Sequence, residues 1–116
     1  MGEHNNTGTR GEDLAVDFLE RNGYEILRRN FKCRRYEIDI IAMRGDWLLF
    51  IEVKTRSNLE YGTPEEFVLT EQSKRIMQAA EEFIFTTNWQ GHIRFDIISV
   101  AIGEYTEVIH FEDAIN

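Results

Sequence analysis

Cysteine, proline and long hydrophobic segments are nearly missing from this chain of 116 residues. Its single cysteine, Cys33, excludes an internal disulfide and fits a reducing cytoplasm. Its longest apolar runs reach only four or five residues, too few for a membrane span, and its polar N-terminus is unlike a signal peptide. One proline and eight glycines argue against fibrous and low-complexity proteins. We therefore expect one cytoplasmic globular domain over residues 1–116, with residues 1–8 disordered and no membrane partner.

Positive charge is also scarce, since the net charge is −8, and this alone disfavours nucleic acid as a partner. The distribution is uneven, however: residues 21–56 hold nine basic and five acidic side chains, a local net charge of +4. One interpretation is the solvated surface of an acidic protein. The other is a single positive face that contacts phosphates locally.

Hydrophobic periodicity predicts helices over residues 10–22 and 71–86. Strands are predicted over 24–31, 37–42, 47–55, 93–102 and 105–111, with a loop over 57–64. The order α-β-β-β-α-β-β indicates an α/β or α+β domain with a central mixed sheet.

The hairpin around Arg44-Gly45-Asp46 carries the most informative pattern. With a two-residue turn, Arg44 pairs with Trp47, and the same register sets Asp39 opposite Glu52 and Glu37 opposite Lys54. Because side chains alternate along a strand, these charged residues are expected on one face, with opposed Cβ atoms ~5 Å apart.

Folding alone does not require two opposed carboxylates in strands that are otherwise apolar. A divalent cation would resolve the conflict, since Mg²⁺ is held by one or two carboxylates plus water and phosphate oxygens. The alternative is an exposed, charged hairpin with no such role. Both alternatives remain open from the residues alone.

Glu12 is a third acid of interest, with two interpretations. The segment Thr9-Arg10-Gly11-Glu12 fits a capping box in which Glu12 reaches back to the Thr9 amide. On a helical wheel, Glu12 also lies between Val16 and Leu19, which would direct it toward the sheet.

Six segments carry a resemblance to a known family: 11–15 (GEDLA), 23–27 (GYEIL), 37–42 (EIDIIA), 49–56 (LFIEVKTR), 62–65 (GTPE) and 94–98 (RFDII). Together they resemble the YraN family of small bacterial proteins, which is grouped with Holliday junction resolvase-like endonucleases. The resemblance spans about residues 8–115. It implies a restriction-endonuclease-like α/β core with a PD-(D/E)-x-K active site, although Ile38 stands where that motif has proline.

Carried over by residue, the resemblance implies catalytic roles for Glu12, Asp39, Glu52 and Lys54. It further implies that Asp39, Glu52 and the Val53 carbonyl bind Mg²⁺ or Mn²⁺. Basic residues would hold flanking phosphates; these are Arg28, Arg29, Arg34, Arg35 and Arg56.

The expected function is metal-dependent hydrolysis of DNA phosphodiesters. The resemblance further implies selectivity for branched or junction DNA and a homodimer with two sites. The alternative is a catalytically weak nucleic-acid-binding accessory protein that keeps the nuclease fold.

Overall fold

The computed structural model describes residues 7–57 and 70–115. In chain order, its elements are α1 (Thr7–Arg21), β1 (Glu25–Cys33), β2 (Tyr36–Arg44), β3 (Trp47–Ser57), α2 (Thr70–Thr87), β4 (His92–Ile102) and β5 (Glu107–Phe111). Residues 1–6 of the segment expected to be disordered lie outside the described residues, whereas Thr7 and Gly8 begin α1. Ser57, the first residue of the loop expected over 57–64, ends β3. The rest of that loop, together with the segment 62–65, lies outside the described residues.

The five strands form one sheet in the order β1-β2-β3-β4-β5. Every neighbouring pair is antiparallel except β3 and β4, which are parallel and are separated in sequence by α2. Helix α2 packs on one side of the sheet, where Ile76 and Phe83 join Phe50 and Ile97. Helix α1 packs on the other side, where the core includes Ala15 and Leu19. The expected α/β domain with a central mixed sheet is confirmed.

Helix α1 is amphipathic, and its C-terminus is set by local hydrogen bonds. The Asn22 side chain donates to the Phe18 carbonyl at 2.7 Å, and the Tyr24 amide donates to the Leu19 carbonyl at 3.0 Å. Between them, Gly23 has a φ of 87°, which glycine adopts without steric cost. The helix predicted over 10–22 therefore ends within one residue of its predicted end, while it begins three residues earlier than predicted.

The β2–β3 hairpin has the predicted register. Five pairs run from Arg44↔Trp47 to Ile40↔Ile51, across a two-residue turn in which Gly45 has a φ of 62°. Glycine at the first central position is typical of a type II′ turn, whose twist matches that of the strands. The ladder ends at Ile40 and Ile51, so the pairs predicted beyond it, Asp39 with Glu52 and Glu37 with Lys54, do not form within the ladder.

The basic segment after Phe31 forms the tip of a second hairpin. Strands β1 and β2 pair up to Cys33↔Tyr36, which leaves Arg34 and Arg35 as the two turn residues, both exposed. Arg28 is exposed in β1. Two of the basic residues predicted to contact phosphates therefore lie at an exposed hairpin tip.

One carboxylate is fully buried and bonded on several sides. Asp96 in β4 is 0% exposed, and its carboxylate accepts hydrogen bonds from the Arg94 guanidinium at 2.9 Å and the Asp113 amide at 2.9 Å. The His110 Nε2 atom lies 2.7 Å away. Burial opposes ionisation of Asp96, but these contacts outweigh it and hold the pKa of Asp96 below its ordinary value. The cluster joins β4, β5 and the turn after β5.

Neither helix among the described residues is long and apolar enough to cross a membrane.

Replacing Asp96 with Asn should lower the free energy of unfolding by about 3 kcal/mol at pH 7, because it breaks a buried ion pair and leaves Arg94 with only its longer contact to the exposed Glu112. The folded pKa of Asp96 is depressed, so its stabilisation is present above pH ~4 and is lost as the pH falls through the folded pKa. Urea unfolding, monitored by tryptophan fluorescence, should therefore show a smaller difference in the free energy of unfolding between wild type and Asp96→Asn at pH 3 than at pH 7.

The control is Glu112→Gln. Glu112 pairs with the same arginine at 3.6 Å but is 59% exposed, so its loss should cost less than about 0.5 kcal/mol. Equal losses in the two variants would contradict a stabilising role for the buried cluster.

Candidate functional site

The site begins where β2 and β3 separate. Beyond Ile40 and Ile51, the Val53 amide donates to the Asp39 carboxylate at 2.8 Å. Past the end of the ladder, the Asp39 side chain thus accepts the hydrogen bond of a strand amide. The Asp39 side chain is thereby fixed between the two strands.

The alternation of side chains along β2 also changes at Asp39. Ile38 packs in the core on the α2 side, whereas Ile40, two residues on, packs in the core on the α1 side. Strand β1 has a matching irregularity: Asn30 has a φ of 54° and lies between the paired residues Arg29↔Ile40 and Phe31↔Ile38. Asparagine is one of the few residues that adopts this left-handed conformation readily.

Strand β3 contributes one acidic and one basic residue, Glu52 and Lys54. The Glu52 and Lys54 side chains are 16% and 20% exposed, and the Lys54 Nζ atom lies 3.2 Å from Glu52 Oε2. The two residues are two positions apart on a strand, so they project from the same face. The lysine is thus held beside the carboxylates.

Glu12 reaches this site because α1 approaches β3 closely. A Cβ at position 11 would overlap the Thr55 side chain, so only glycine permits the observed packing. The Glu12 carboxylate accepts hydrogen bonds from the Arg29 guanidinium at 3.3 Å and from the side-chain amide of Asn30 at 3.2 Å. The capping-box interpretation is wrong, because α1 begins at Thr7 and Thr9 lies inside it.

These side chains line one cavity of about 630 Å³. It is bordered by Thr9, Glu12, Arg29, Asn30, Asp39, Glu52, Val53, Lys54 and Thr55. The structure therefore brings Glu12, Asp39, Glu52, Val53 and Lys54 together around one cavity.

Burial, followed by the negative charge of Glu52, raises the pKa of Asp39 to about 7, although the Val53 amide acts in the opposite direction. Burial also raises the pKa of Glu52, with part of the effect offset by Lys54. Glu12 adds to the rise at both carboxyl groups. Three carboxyl groups therefore share the cavity with one arginine and one lysine, and two of the three ionise less readily than in water.

The chain matches the model of the uncharacterised protein family UPF0102 over residues 11–100. A UPF0102 protein from Flavobacterium psychrophilum is 42% identical over 119 residues, covering 98% of this chain and 97% of the relative. Another from Dictyoglomus turgidum is 46% identical and covers 90% of each chain. The chain belongs to the UPF0102 family. The expected membership of the YraN family is thereby confirmed.

In this UPF0102 protein, the cavity contains two carboxylates whose fit to a hard cation can be examined. Asp39 and Glu52 supply carboxylate oxygens, the ligands that Mg²⁺ and Mn²⁺ prefer, and both are partly desolvated close to a like charge. Among the described residues, no group of three or more His, Cys, Asp or Glu has metal-binding geometry. The donor set therefore fits an ion held by two carboxylates and completed by water and substrate oxygens, which is common for Mg²⁺.

The arginines of the UPF0102 chain have different environments. Arg29 lies in the cavity and is paired with Glu12 and Asp13, at 3.3 and 2.7 Å. Arg28 and Arg34 are exposed and do not line the cavity, and Arg56, in β3, does not line it either. Arg35 borders a second, smaller cavity. The basic residues therefore form a dispersed set around the site.

Two site features were missed in the sequence. Gly11 has a recognisable signal, since an isolated glycine inside a helical pattern often marks a close packing contact. Asn30 has a weaker one, because its left-handed conformation depends on the neighbouring strand.

Asp39→Asn should stabilise the metal-free protein at pH 8 by about 1 kcal/mol or more, because the amide still accepts the Val53 hydrogen bond and carries no charge. The folded pKa of Asp39 is raised, so its ionisation destabilises the fold progressively from pH ~4 to about 7. The advantage of the variant should therefore disappear near pH 4. Urea titrations of both proteins with EDTA at several pH values measure this difference.

Asp17→Asn is the matched control, since Asp17 is an exposed carboxylate in α1, paired with Arg21 at 2.9 Å. It should show no gain at pH 8. A loss of stability in Asp39→Asn at pH 8 would contradict the assigned charge repulsion.

Proposed function

We propose that this protein is a metal-dependent nuclease that hydrolyses DNA phosphodiesters, with Asp39, Glu52 and Lys54 as its catalytic set. The observation that carries the proposal is the strand separation at Asp39, which leaves two partly buried carboxylates and a lysine in one open cavity. This arrangement supports the restriction-endonuclease-like assignment that the family resemblance implies.

The carboxylates of Asp39 and Glu52, with the Val53 carbonyl, would hold Mg²⁺ or Mn²⁺. When bound, such an ion polarises the phosphodiester and makes an attacking water more acidic. The raised pKa of Asp39 reflects an environment in which an added positive charge is favourable. The chain's own task at these positions is to keep both carboxylates together despite their repulsion.

The Lys54 ammonium would orient the attacking water and stabilise negative charge that develops on the phosphate. Its 3.2 Å contact with Glu52 holds it beside the carboxylates. Glu12, fixed by Arg29 and Asn30, would add a further oxygen acceptor at the α1 side of the cavity.

The substrate proposed is DNA recognised by shape, with branched DNA as the first candidate. Exposed arginines on the β1–β2 hairpin, Arg28, Arg34 and Arg35, would contact backbone phosphates without reading sequence. The exposed hairpin tip also favours the alternative function, an accessory protein that binds nucleic acid with little turnover.

The proposal is tested by incubating the full chain with four-way, flap, single-stranded and duplex DNA in Mg²⁺, Mn²⁺ or EDTA. We expect metal-dependent cleavage of at least one substrate, reduced about 10²–10³-fold in Lys54→Ala because an electrostatic stabiliser of the transition state is removed. Lys74→Gln, an exposed lysine of α2, serves as the control and should cleave like the wild type.

Binding without cleavage by the wild-type protein would support the accessory alternative. Cleavage that survives in Lys54→Ala or in EDTA would contradict the proposed catalytic set.

Metal binding can be measured without a substrate. Mn²⁺ at a hundredfold excess over its Kd should stabilise the wild type by about 2.7 kcal/mol. Asp39→Asn should lose most of this gain, since a neutral amide is a poorer ligand for a hard cation.

Thermal melts with and without Mn²⁺ provide the measurement, and Asp17→Asn should respond like the wild type. Equal shifts in Asp39→Asn and the wild type would show that Asp39 is not a ligand.

A further inference from the structure

A second cavity, of about 220 Å³, opens on the α2 side of the same two carboxylates. Asp39 and Glu52 border both cavities, so the two spaces meet where β2 and β3 separate. The first cavity is bounded by α1, β1 and β3, whereas the second is bounded by the β1–β2 hairpin and α2. A ligand at the carboxylate pair is therefore accessible from both sides.

Two arginines border the second cavity. Arg35 comes from the hairpin turn and Arg75 from the second turn of α2, and both are exposed. Glu37 also borders it, so that apart from the shared carboxylates its local charge is +1. Guanidinium groups match phosphate oxygens in shape as well as in charge. The second cavity is thus suited to an anionic ligand with phosphate-like oxygens.

Nucleic acid supplies such groups at short, regular intervals, one charge per ~3.4 Å of helix axis on each strand. A strand with one phosphate at the shared carboxylates has its next phosphates close by. Arg35 and Arg75 border only the second of these two cavities, whereas Lys54 and Glu12 border only the first.

We propose that Arg35 and Arg75 together hold the phosphate adjacent to the one that is hydrolysed, so that the substrate strand crosses the separated ends of β2 and β3 from the α1 side to the α2 side. The proposal rests on the proposed nuclease function and adds a binding subsite to it. Arg75 was not among the residues that the sequence analysis selected, because its position in an amphipathic helix is that of an ordinary exposed residue.

The competing explanation is general attraction between DNA and any basic side chain near the site. Lys74 distinguishes the two, since it precedes Arg75 in α2, is exposed and does not border either cavity. If the subsite exists, replacing Arg75 should weaken DNA binding more than replacing Lys74. The losses of affinity on replacing Arg35 and Arg75 should also depend on each other. General attraction predicts equal and independent effects.

The experiment measures fluorescence anisotropy of a labelled DNA in Ca²⁺, over a range of salt concentrations, with the DNA form that binds the wild type best. The proteins are the wild type, Arg75→Gln, Arg35→Gln, the double variant and Lys74→Gln, each checked for folding by its thermal melt. We expect Arg75→Gln and Arg35→Gln each to weaken binding about tenfold and to reduce the salt slope by about one. The double variant should lose little more than either single variant, because both arginines contact one phosphate.

The outcomes separate the subsite from the nuclease proposal. If Arg75→Gln binds like Lys74→Gln, or if the losses of Arg35 and Arg75 add, the subsite is wrong while the proposed function stands. If the wild type binds none of the DNA forms and cleaves none in Mn²⁺, the proposed function and the subsite both fail.

Discussion

The hydrogen bond from the Val53 amide to the Asp39 carboxylate is the interaction on which the candidate site depends. It lies just past the end of the β2–β3 ladder, where the two strands separate. An unpaired strand amide in a partly buried region is costly, so the carboxylate satisfies a real need of the backbone. In return, the strand holds a charged side chain beside Glu52, where repulsion would otherwise drive the two apart. One hydrogen bond therefore both stabilises the strand ends and positions the site.

Two carboxylates in this fold show how differently burial can be compensated. Asp96 is fully buried but is surrounded by Arg94, His110 and a backbone amide, and its pKa is held down. Asp39 is less buried yet faces Glu52, and its pKa is raised to about 7. The first cluster has its compensation within the chain and joins β4 to β5. The second is compensated only in part, by Lys54 and the Val53 amide, which is the electrostatic condition expected where a cation or another positive group binds.

Close packing of α1 on β3 completes the arrangement. Gly11 lets the helix backbone approach Thr55, and the next residue, Glu12, then reaches Arg29 and Asn30 of β1. Glycine weakens a helix interior by about 1 kcal/mol relative to alanine, so its use here is explained by the close contact it permits. The helix on the opposite side of the sheet brings Arg75 to the same carboxylate pair. The two helices thus approach one interruption in the sheet from opposite sides.

The sequence by itself determined the class of fold, the β2–β3 register and the nearness of Asp39, Glu52 and Lys54, because side-chain alternation and a two-residue turn are local rules. It predicted that Asp39 and Glu52 would face each other as a ladder pair, and this was wrong because the ladder ends one pair earlier. The face change between Ile38 and Ile40 violates simple alternation, and it lies opposite an irregularity in another strand, at Asn30. For Glu12, the local pattern favoured a capping role over a site role. Only the tertiary structure decided between them, since the contact of Gly11 with Thr55 joins residues 44 positions apart, and no local pattern encodes a contact over that separation.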